Sequence, residues 1–272
     1  MYQFKWYRCV SSNHCAFSAS INYKRAFMTI TFKSRPNIDD AIAWPALIKG
    51  TLVKRYKRFL AEIELETGVS IIAHCPNSGR MTGCNQPGQT VYVSRQDSPK
   101  RKLKYTWELI EMPDSLVGVN TLVPNRLVHH AIKAGIIDEL KGYETVKQEV
   151  RVGDHTRLDL MLSDHSGNDC YVEIKNSTLV ENSVAYFPDA VTSRGKNHLV
   201  ELQKLAAAGH RCVMFFLVQR MDGRLFKPAD HIDTAYGREL RSAAANGVEI
   251  IVYDVFMDTK TIGIRNKLKY EL

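Results

Sequence analysis

Two alternating segments on either side of a polar turn constrain the fold of this chain more than any other feature. Residues 158–163 and residues 170–175 each alternate apolar side chains with other, mostly polar ones, as half-buried strands do. The six residues between them, 164–169, consist of Asp, His, Ser, Gly and Asn, most of which favour turns. The pattern therefore predicts a β-hairpin with one face against a core.

The same hairpin brings two carboxylates and an amine together. Strand periodicity puts Glu173 and Lys175 on one face of the second strand. If the hairpin is symmetric about Ser166, Asp159 lies opposite Glu173, with Cα atoms about 4.5–5.5 Å apart. Carboxylates at that separation repel each other unless a proton or a cation lies between them. We therefore predict that Asp159 and Glu173 bind Mg²⁺ or Mn²⁺ and that Lys175 assists catalysis at a phosphate.

Other interpretations of these residues stay open. A Glu-x-Lys tripeptide alone is a weak indication of catalysis. Glu173 and Lys175 can equally form a solvent-exposed ion pair of little energetic value. Glu149, on the preceding strand, is either a third metal ligand or the ion-pair partner of a neighbouring arginine. The upstream aspartate, the turn of suitable length and the apolar neighbours favour the metal site.

Residues 116–272 combine helix and strand patterns around this hairpin. A first helix begins near Pro124 and ends at Gly135, a second spans residues 194–208, and a third has Asp233 as its N-cap. The predicted strands are residues 145–152, 158–163, 170–175, 211–219 and 248–253. This order predicts a mixed sheet flanked by helices, which is an α/β domain. The Asp159…Glu173-x-Lys175 constellation within it resembles the site of PD-(D/E)xK nuclease-like domains.

Residues 41–115 have a different texture, with short strand patterns separated by turns. The strand patterns are residues 47–53, 59–65, 69–73 and 90–93. A small closed barrel is the natural arrangement for such strands, and the five-stranded OB-fold is a common version that binds nucleic acid. We therefore predict an N-terminal OB-like five-stranded β-barrel, so that the fold class is β followed by α/β.

Several cationic residues are candidates for contacts with nucleic acid. Cations contact phosphates, while aromatic faces stack on bases. Two runs in the barrel region mix both types, and a third group opens the second predicted helix, where the helix N-terminus also favours anions. The candidates are Lys54, Arg55, Tyr56, Lys57, Arg58, Lys100, Arg101, Lys102, Arg194, Lys196 and His198. The alternative is that they are ordinary solvated side chains at strand and helix surfaces.

Charge and cysteine content indicate the compartment and the partner. The net charge of +8 favours polyanionic partners. The apolar run 212–218 is far shorter than the roughly 18 residues of a membrane-spanning helix, so no membrane association is expected. Six cysteines without a CxxC pair suit the reducing cytoplasm. His74, Cys75 and Cys84 lack the spacing of a zinc site, and buried thiols are the better interpretation.

The first forty residues differ from the rest of the chain. Residues 1–38 contain six Lys or Arg and no acidic residue. We predict that residues 1–40 form a peripheral extension. Translation that starts at Met28 is favoured over a targeting peptide, because the segment has no amphipathic stretch.

Six motifs in order along the chain resemble the sugar fermentation stimulation protein A (SfsA) family. They are CPNSGRMTGC at 75–84, VNT at 119–121, RLD at 157–159, YVEIK at 171–175, YFPDA at 186–190 and RGxxHL at 194–199. The resemblance covers residue 46 to the C-terminus. It implies an OB-like domain, a PD-(D/E)xK-like domain, DNA binding without sequence specificity, and a regulatory link to maltose metabolism.

The sequence is compatible with three functions. The first is a Mg²⁺-dependent phosphodiesterase that acts on DNA. The second is a DNA-binding regulator that retains the nuclease fold without cleavage. The third is a sugar-linked interaction protein that binds no nucleic acid. Steep salt dependence of DNA binding separates the first two from the third, because phosphate contacts weaken with salt.

Overall fold

The computed structural model describes residues 40–153 and 156–272. The extension predicted over residues 1–40, with its alternative start at Met28, lies outside the described residues except for Asp40. The first strand is β1 (Ala41–Ala43). Within the described ranges, no helix is both long enough and apolar enough to cross a membrane.

The six strands of the sheet that forms the barrel follow β1 directly. They are β2 (Leu47–Tyr56), β3 (Leu60–Leu65), β4 (Ser70–His74), β5 (Thr90–Arg95), β6 (Tyr105–Met112) and β7 (Ser115–Gly118). Their order is β4-β3-β2-β5-β6-β7, and a parallel pairing of β4 with β6 closes β2 to β6 into a barrel. Leu52, Ile63, Val91 and Trp107 fill the interior with no exposed surface. The predicted five-stranded barrel is confirmed.

Gly50 in β2 allows β3 to approach closely. A Cβ atom at this position would lie 2.7 Å from the backbone oxygen of Glu64 and 2.8 Å from Cγ2 of Ile63. The backbone of β3 cannot move away without breaking its hydrogen bonds to the neighbouring strands. Gly50→Ala is therefore expected to lower the unfolding free energy by at least about 1 kcal/mol. Chemical denaturation measures this cost. Gly83→Ala is the control, because its nearest neighbour would lie at an ordinary 3.4 Å. Equal stability of the two variants would contradict this account.

The remaining elements form the α/β domain. The helices are α1 (Val123–Lys133), α2 (Ser193–Ala207) and α3 (Thr234–Ala245), with a 3₁₀-helix at Asp138–Leu140. The strands are β8 (Thr145–Val152), β9 (Thr156–Ser163), β10 (Asp169–Ser177), β11 (Leu179–Glu181), β12 (Val184–Phe187), β13 (Arg211–Val218), β14 (Leu225–Pro228), β15 (Val248–Met257), β16 (Thr261–Lys267) and β17 (Lys269–Tyr270).

A seven-stranded mixed sheet organises this domain in the order β1-β16-β15-β13-β10-β9-β8. A smaller sheet has the order β11-β12-β14-β17. Strand β1 pairs with β16, so residues 41–43 belong to the large sheet and not to the barrel. The domain boundary predicted from sequence had placed these residues in the barrel domain, residues 41–115. Strand β13 is buried on both faces, because α1 packs on one side of the sheet and α2 with α3 on the other.

Side-chain caps fix the starts of α2 and α3. Asp233 accepts a hydrogen bond at 3.0 Å from the N–H of Tyr236 and caps α3, as predicted. Thr192 caps α2 in the same way, accepting from Gly195 at 3.0 Å. The cap at Thr192 fixes the start of α2, whose first turns carry Arg194 and His198.

Hydrogen bonds join the barrel to the α/β domain beside the end of β10. The N–H of Gly118 donates to the carbonyl of Gln219 at 3.0 Å. The buried guanidinium of Arg220 donates to the carbonyl of Gly83 at 3.3 Å and to that of Thr178 at 3.1 Å. The barrel loop and the end of β10 are therefore held together as the walls of one cleft.

Candidate active site

The β9–β10 hairpin has the register that the sequence predicts. Asp169 pairs with Ser163 and, three pairs further along the ladder, Val172 pairs with Leu160, which is the symmetric arrangement. Beyond this pair, the N–H of Ile174 donates to Oδ2 of Asp159 at 2.7 Å. The carboxylate of Asp159 therefore reaches across to β10 at the position where Glu173 was expected.

A buried cluster surrounds Glu173, which is only 2% exposed. Its Oε1 lies 2.5 Å from Nζ of Lys175 and contacts Nδ1 of His198. Nζ of Lys175 also lies 3.3 Å from Nδ1 of His198, and Nε of Arg194 donates to Nε2 of His198 at 3.4 Å. Strand β10 and the first turns of α2 thus place an acid, an amine, an imidazole and a guanidinium in one network.

The two carboxyl groups have opposite pKa shifts. Burial, together with the charge of Glu173, raises the pKa of Asp159 to about 6. Burial also opposes ionisation of Glu173, but Lys175 and His198 outweigh it and hold the pKa of Glu173 below its usual value. The pair therefore carries closely spaced negative charge near neutral pH, which an added cation stabilises.

The donor atoms fit a hard divalent cation. Oε2 of Glu173 is buried and has no hydrogen-bond partner, and an unpartnered buried carboxylate oxygen is costly. Asp159 accepts one hydrogen bond at each oxygen, from Asn125 at 2.7 Å and from Ile174, which leaves lone pairs for a ligand bond. Among residues 40–153 and 156–272, no cluster of three or more His, Cys, Asp or Glu can hold a metal. Water and phosphate oxygens would have to complete the shell, as is usual for Mg²⁺.

This cluster lies in a cleft of about 830 Å³ between the barrel and the α/β domain. The barrel side is formed by residues 55–58 and 77–80. The α/β side contains Asp159, Glu173 and Lys175, and residues 187–192 form part of the rim. The candidate metal ligands therefore face cationic side chains from the other domain.

The structure separates the predicted nucleic-acid contacts into two groups. Those lining the cleft are Arg55, Tyr56, Lys57, Arg58, Arg194 and His198. Those that do not line it are Lys54, Lys100, Arg101, Lys102 and Lys196. Lys54 forms an ion pair with Glu62 at 3.1 Å, and Arg101 donates to Oγ1 of Thr106 at 2.9 Å. Glu149 is exposed and does not line the cleft either.

Arg55 shapes the cleft through its own hydrogen bonds. Its guanidinium donates to the carbonyls of Arg58, Asn77, Gly79 and Arg80 at 2.7–3.1 Å. These four bonds tie the β2–β3 turn to the loop that follows β4. Since four of its five N–H donors are used within the protein, Arg55 acts as a clamp for the cleft wall.

Two residues of the site were assigned no role from sequence. Asn125, at the start of α1, orients Asp159. Oδ2 of Asp189 accepts from the N–H of Met81 at 2.9 Å and so ties the rim of the α/β domain to the barrel loop. Both Asp189 and residues 75–84 lie in motifs that carried the family resemblance, but only the folded chain brings them together. Cys75 and Cys84 in that loop are buried free thiols, as expected.

Comparisons with known proteins match both domains. The family model described as the SfsA N-terminal OB domain matches residues 53–119, and the model described as the sugar fermentation stimulation protein RE domain matches residues 122–261. The sugar fermentation stimulation protein homolog of Geotalea uraniireducens is 52% identical over 226 residues, covering 83% of this chain and 97% of the relative. The homolog of Maricaulis maris is 46% identical over 227 residues, with the same coverage.

A solved structure agrees as well. The structure of Pyrococcus furiosus SfsA in complex with Ca²⁺ superposes with a TM-score of 0.79 at 27% sequence identity. The match covers 85% of this chain and 98% of that chain.

Proposed function

Because this chain belongs to the sugar fermentation stimulation protein family, with its OB domain and RE domain, we propose that it binds DNA and cleaves phosphodiester bonds with the help of a divalent cation. The observation that carries the proposal is the pair of half-buried Asp159 and buried Glu173, with Lys175 beside it, in the lining of a cleft that also has cationic side chains. The Ca²⁺ complex of the Pyrococcus furiosus relative supports the cation.

Each residue of the cluster has a distinct role in this proposal. Asp159 and Oε2 of Glu173 would hold Mg²⁺ or Mn²⁺, which supplies Lewis-acid charge and lowers the pKa of a bound water. Lys175 orients the attacking water and stabilises the charge that develops on the phosphate. His198 contacts Oε1 of Glu173, which would leave Oε2 available to the cation. Asn125 orients Asp159 in the same way.

DNA binding is assigned to the cations that line the cleft. Lys57, Arg58, Arg80 and Arg194 form no ion pair with any side chain in the described part of the protein. Their charges are therefore available to phosphates, which are the same at every base pair. Binding without sequence specificity follows from contacts of this kind.

The cellular context belongs to the same proposal. The family resemblance supports a regulatory link to maltose metabolism, in which DNA binding or cleavage is the molecular event. The four cysteines in the described ranges, Cys75, Cys84, Cys170 and Cys212, are all free and buried. Reduced thiols of this kind support a cytoplasmic location.

Incubation of purified protein with single-stranded, duplex and branched DNA tests the proposal. With Mg²⁺ or Mn²⁺ we expect DNA fragments that accumulate with time, and with EDTA we expect intact DNA. Intact DNA under every metal condition would refute the cleavage, and fragments that also form in EDTA would refute the role of the cation. Absent or salt-independent DNA binding would favour an interaction protein that uses no nucleic acid.

The β2–β3 turn provides a test of the cationic cleft wall. Lys57 and Arg58 have φ values of 48° and 62°, and a left-handed conformation costs roughly 1–2 kcal/mol for a non-glycine residue. Replacing them with Asn and Gly, which suit such a turn, is expected to raise the unfolding free energy. The same double variant is expected to bind DNA about tenfold more weakly, with a shallower salt dependence, because two phosphate contacts are lost.

The control for this double variant removes equal charge elsewhere. Lys100→Asn with Lys102→Asn changes two exposed cations that do not line the cleft. Fluorescence anisotropy with labelled DNA, measured over a series of salt concentrations, compares the two double variants. Similar losses of affinity would show that overall charge, and not the cleft wall, determines DNA binding.

A further inference from the structure

Three apolar side chains are exposed around the cationic cleft. Phe59 is 46% exposed, Leu122 is 72% exposed and Val191 is 73% exposed. Val191 lines the cleft, Phe59 directly follows Arg58 of the cleft wall, and Leu122 directly follows Thr121, which also lines the cleft. We refer to Phe59, Leu122 and Val191 as the apolar rim.

The backbone of the apolar rim is held in place by hydrogen bonds. The N–H of Phe59 donates to Lys57 at 2.7 Å, and its carbonyl accepts from Cys75 at 2.8 Å. The N–H of Leu122 donates to Oδ1 of Asn120 at 3.0 Å. Val191 precedes Thr192, whose N–H donates to Oδ2 of Asp233 at 2.9 Å. These side chains therefore project from fixed backbone, so their exposure is a property of the folded surface.

The combination of an apolar rim with a cationic wall points to one ligand chemistry. Nucleobases offer apolar faces, and phosphates offer negative charge. In a duplex the base faces are stacked on each other and hidden, whereas an unpaired strand exposes both base faces and phosphates. A purely cationic wall would bind single-stranded and duplex DNA alike. The apolar rim adds a contact that only unpaired bases can satisfy.

Resting on the proposed function, we propose that the cleft binds single-stranded DNA, with Phe59 stacked on a base while Lys57 and Arg58 contact the adjacent phosphates. Leu122 and Val191 contact neighbouring bases of the strand that enters the cleft. The cleft volume of about 830 Å³ supports this substrate, because pockets of about 300–1,000 Å³ enclose molecules of drug size. Such a volume is large enough for a few nucleotides of one strand.

Anisotropy titrations in EDTA, where no cleavage is expected, test this substrate class. The probes are a labelled strand of about 20 nucleotides, longer than the roughly 4–16 nucleotides that one OB-fold covers, and a duplex of the same sequence. Wild-type protein is expected to bind the single strand about tenfold more tightly. Phe59→Ala is expected to remove about tenfold of single-strand affinity and to leave duplex affinity unchanged. Phe59→Tyr is expected to retain both affinities.

Val69→Ala is the matched control, because Val69 is 54% exposed but lies in the turn at the other end of β3. It is expected to behave as wild type in both titrations. Duplex binding as tight as single-strand binding, or a Phe59→Ala variant that binds both forms as wild type does, would overturn the inference while leaving DNA binding intact. Failure to bind either form at low salt would instead overturn the proposed function and this inference with it.

Discussion

Replacing Lys175 with methionine is expected to reduce DNA cleavage by about 100- to 1,000-fold, the usual loss when a group that stabilises transition-state charge is removed. Nζ of Lys175 lies 2.5 Å from Oε1 of Glu173, so the ammonium stands beside the proposed position of the reacting phosphate. Methionine keeps most of the volume and removes the ammonium, with its charge and its N–H donors. DNA affinity is expected to stay close to wild type, because Lys57, Arg58 and Arg194 remain in place.

The same variant is expected to lose stability, which has to be separated from the loss of activity. Removing Lys175 leaves Glu173 buried, with His198 as its remaining partner at Oε1. The expected cost is about 1–3 kcal/mol, the penalty for a buried polar group that loses one partner. Cleavage is therefore measured well below the unfolding temperature of each variant. Lys196→Met, on α2 but outside the cleft, is the control, and equal cleavage by the two variants would refute a catalytic role for Lys175.

Replacing Asp159 with asparagine is expected to stabilise the metal-free protein by about 1–3 kcal/mol near pH 7.5, although it removes a proposed ligand. The pKa of Asp159 is about 6 in the folded chain, against an ordinary value of 3.8. Below pH 3.8 the carboxyl is protonated in both states and contributes no difference. As the pH rises from 3.8 to about 6, the unfolded chain releases the proton first, so the folded state loses stability. Above pH 6 the folded wild-type protein bears the full free-energy cost of holding an ionised carboxylate at position 159.

Denaturation in EDTA at a series of pH values measures the difference between wild type and Asp159→Asn. The difference is expected to be near zero at about pH 3 and below, and to reach its full size above pH 6. Asp97→Asn is the control, because Asp97 is exposed and pairs with Arg95 on the barrel surface. A variant at position 159 that is less stable than wild type at pH 7.5 would show that the carboxylate is well accommodated without a cation.

Local patterns were sufficient to predict the part of the fold that carries the site. Apolar alternation in residues 158–163 and the polar turn after them determine a hairpin. The same two features set the register, which is seen in the strand pairing from Asp169 to Val172. The cap at Asp233 is equally local. These features depend on residues that are close together in the chain, so the sequence is sufficient to predict them.

The last barrel strand, β6, was not predicted, because tertiary contacts override its local pattern. It follows the basic run that begins at Lys100, and Glu108 interrupts its apolar residues. Glu108 is nevertheless 4% exposed, since its carboxylate accepts from Oγ of Ser94 at 2.6 Å and from Nδ2 of Asn120 at 2.7 Å. Partners from two other segments make burial of this charge tolerable.

The candidate site was predictable only in part for the same reason. Asp159, Glu173 and Lys175 come together through strand period and register. The cleft wall depends on contacts between distant segments, such as Asp189 with Met81, which no local pattern encodes. The bonding of Arg55 was not predictable from its local pattern either. As a cation in a basic run it was expected to bind phosphate, whereas most of its N–H donors bind backbone carbonyls.

The central claim is that Asp159 and Glu173 together hold a divalent cation for phosphodiester cleavage. Calorimetric titration of Mn²⁺ into the protein tests it most directly. Wild-type protein is expected to bind about one ion per chain, the number that one carboxylate pair supports, and Asp159→Asn is expected to bind none. Absence of Mn²⁺ binding by wild type, or equal binding by wild type and Asp159→Asn, would contradict the account.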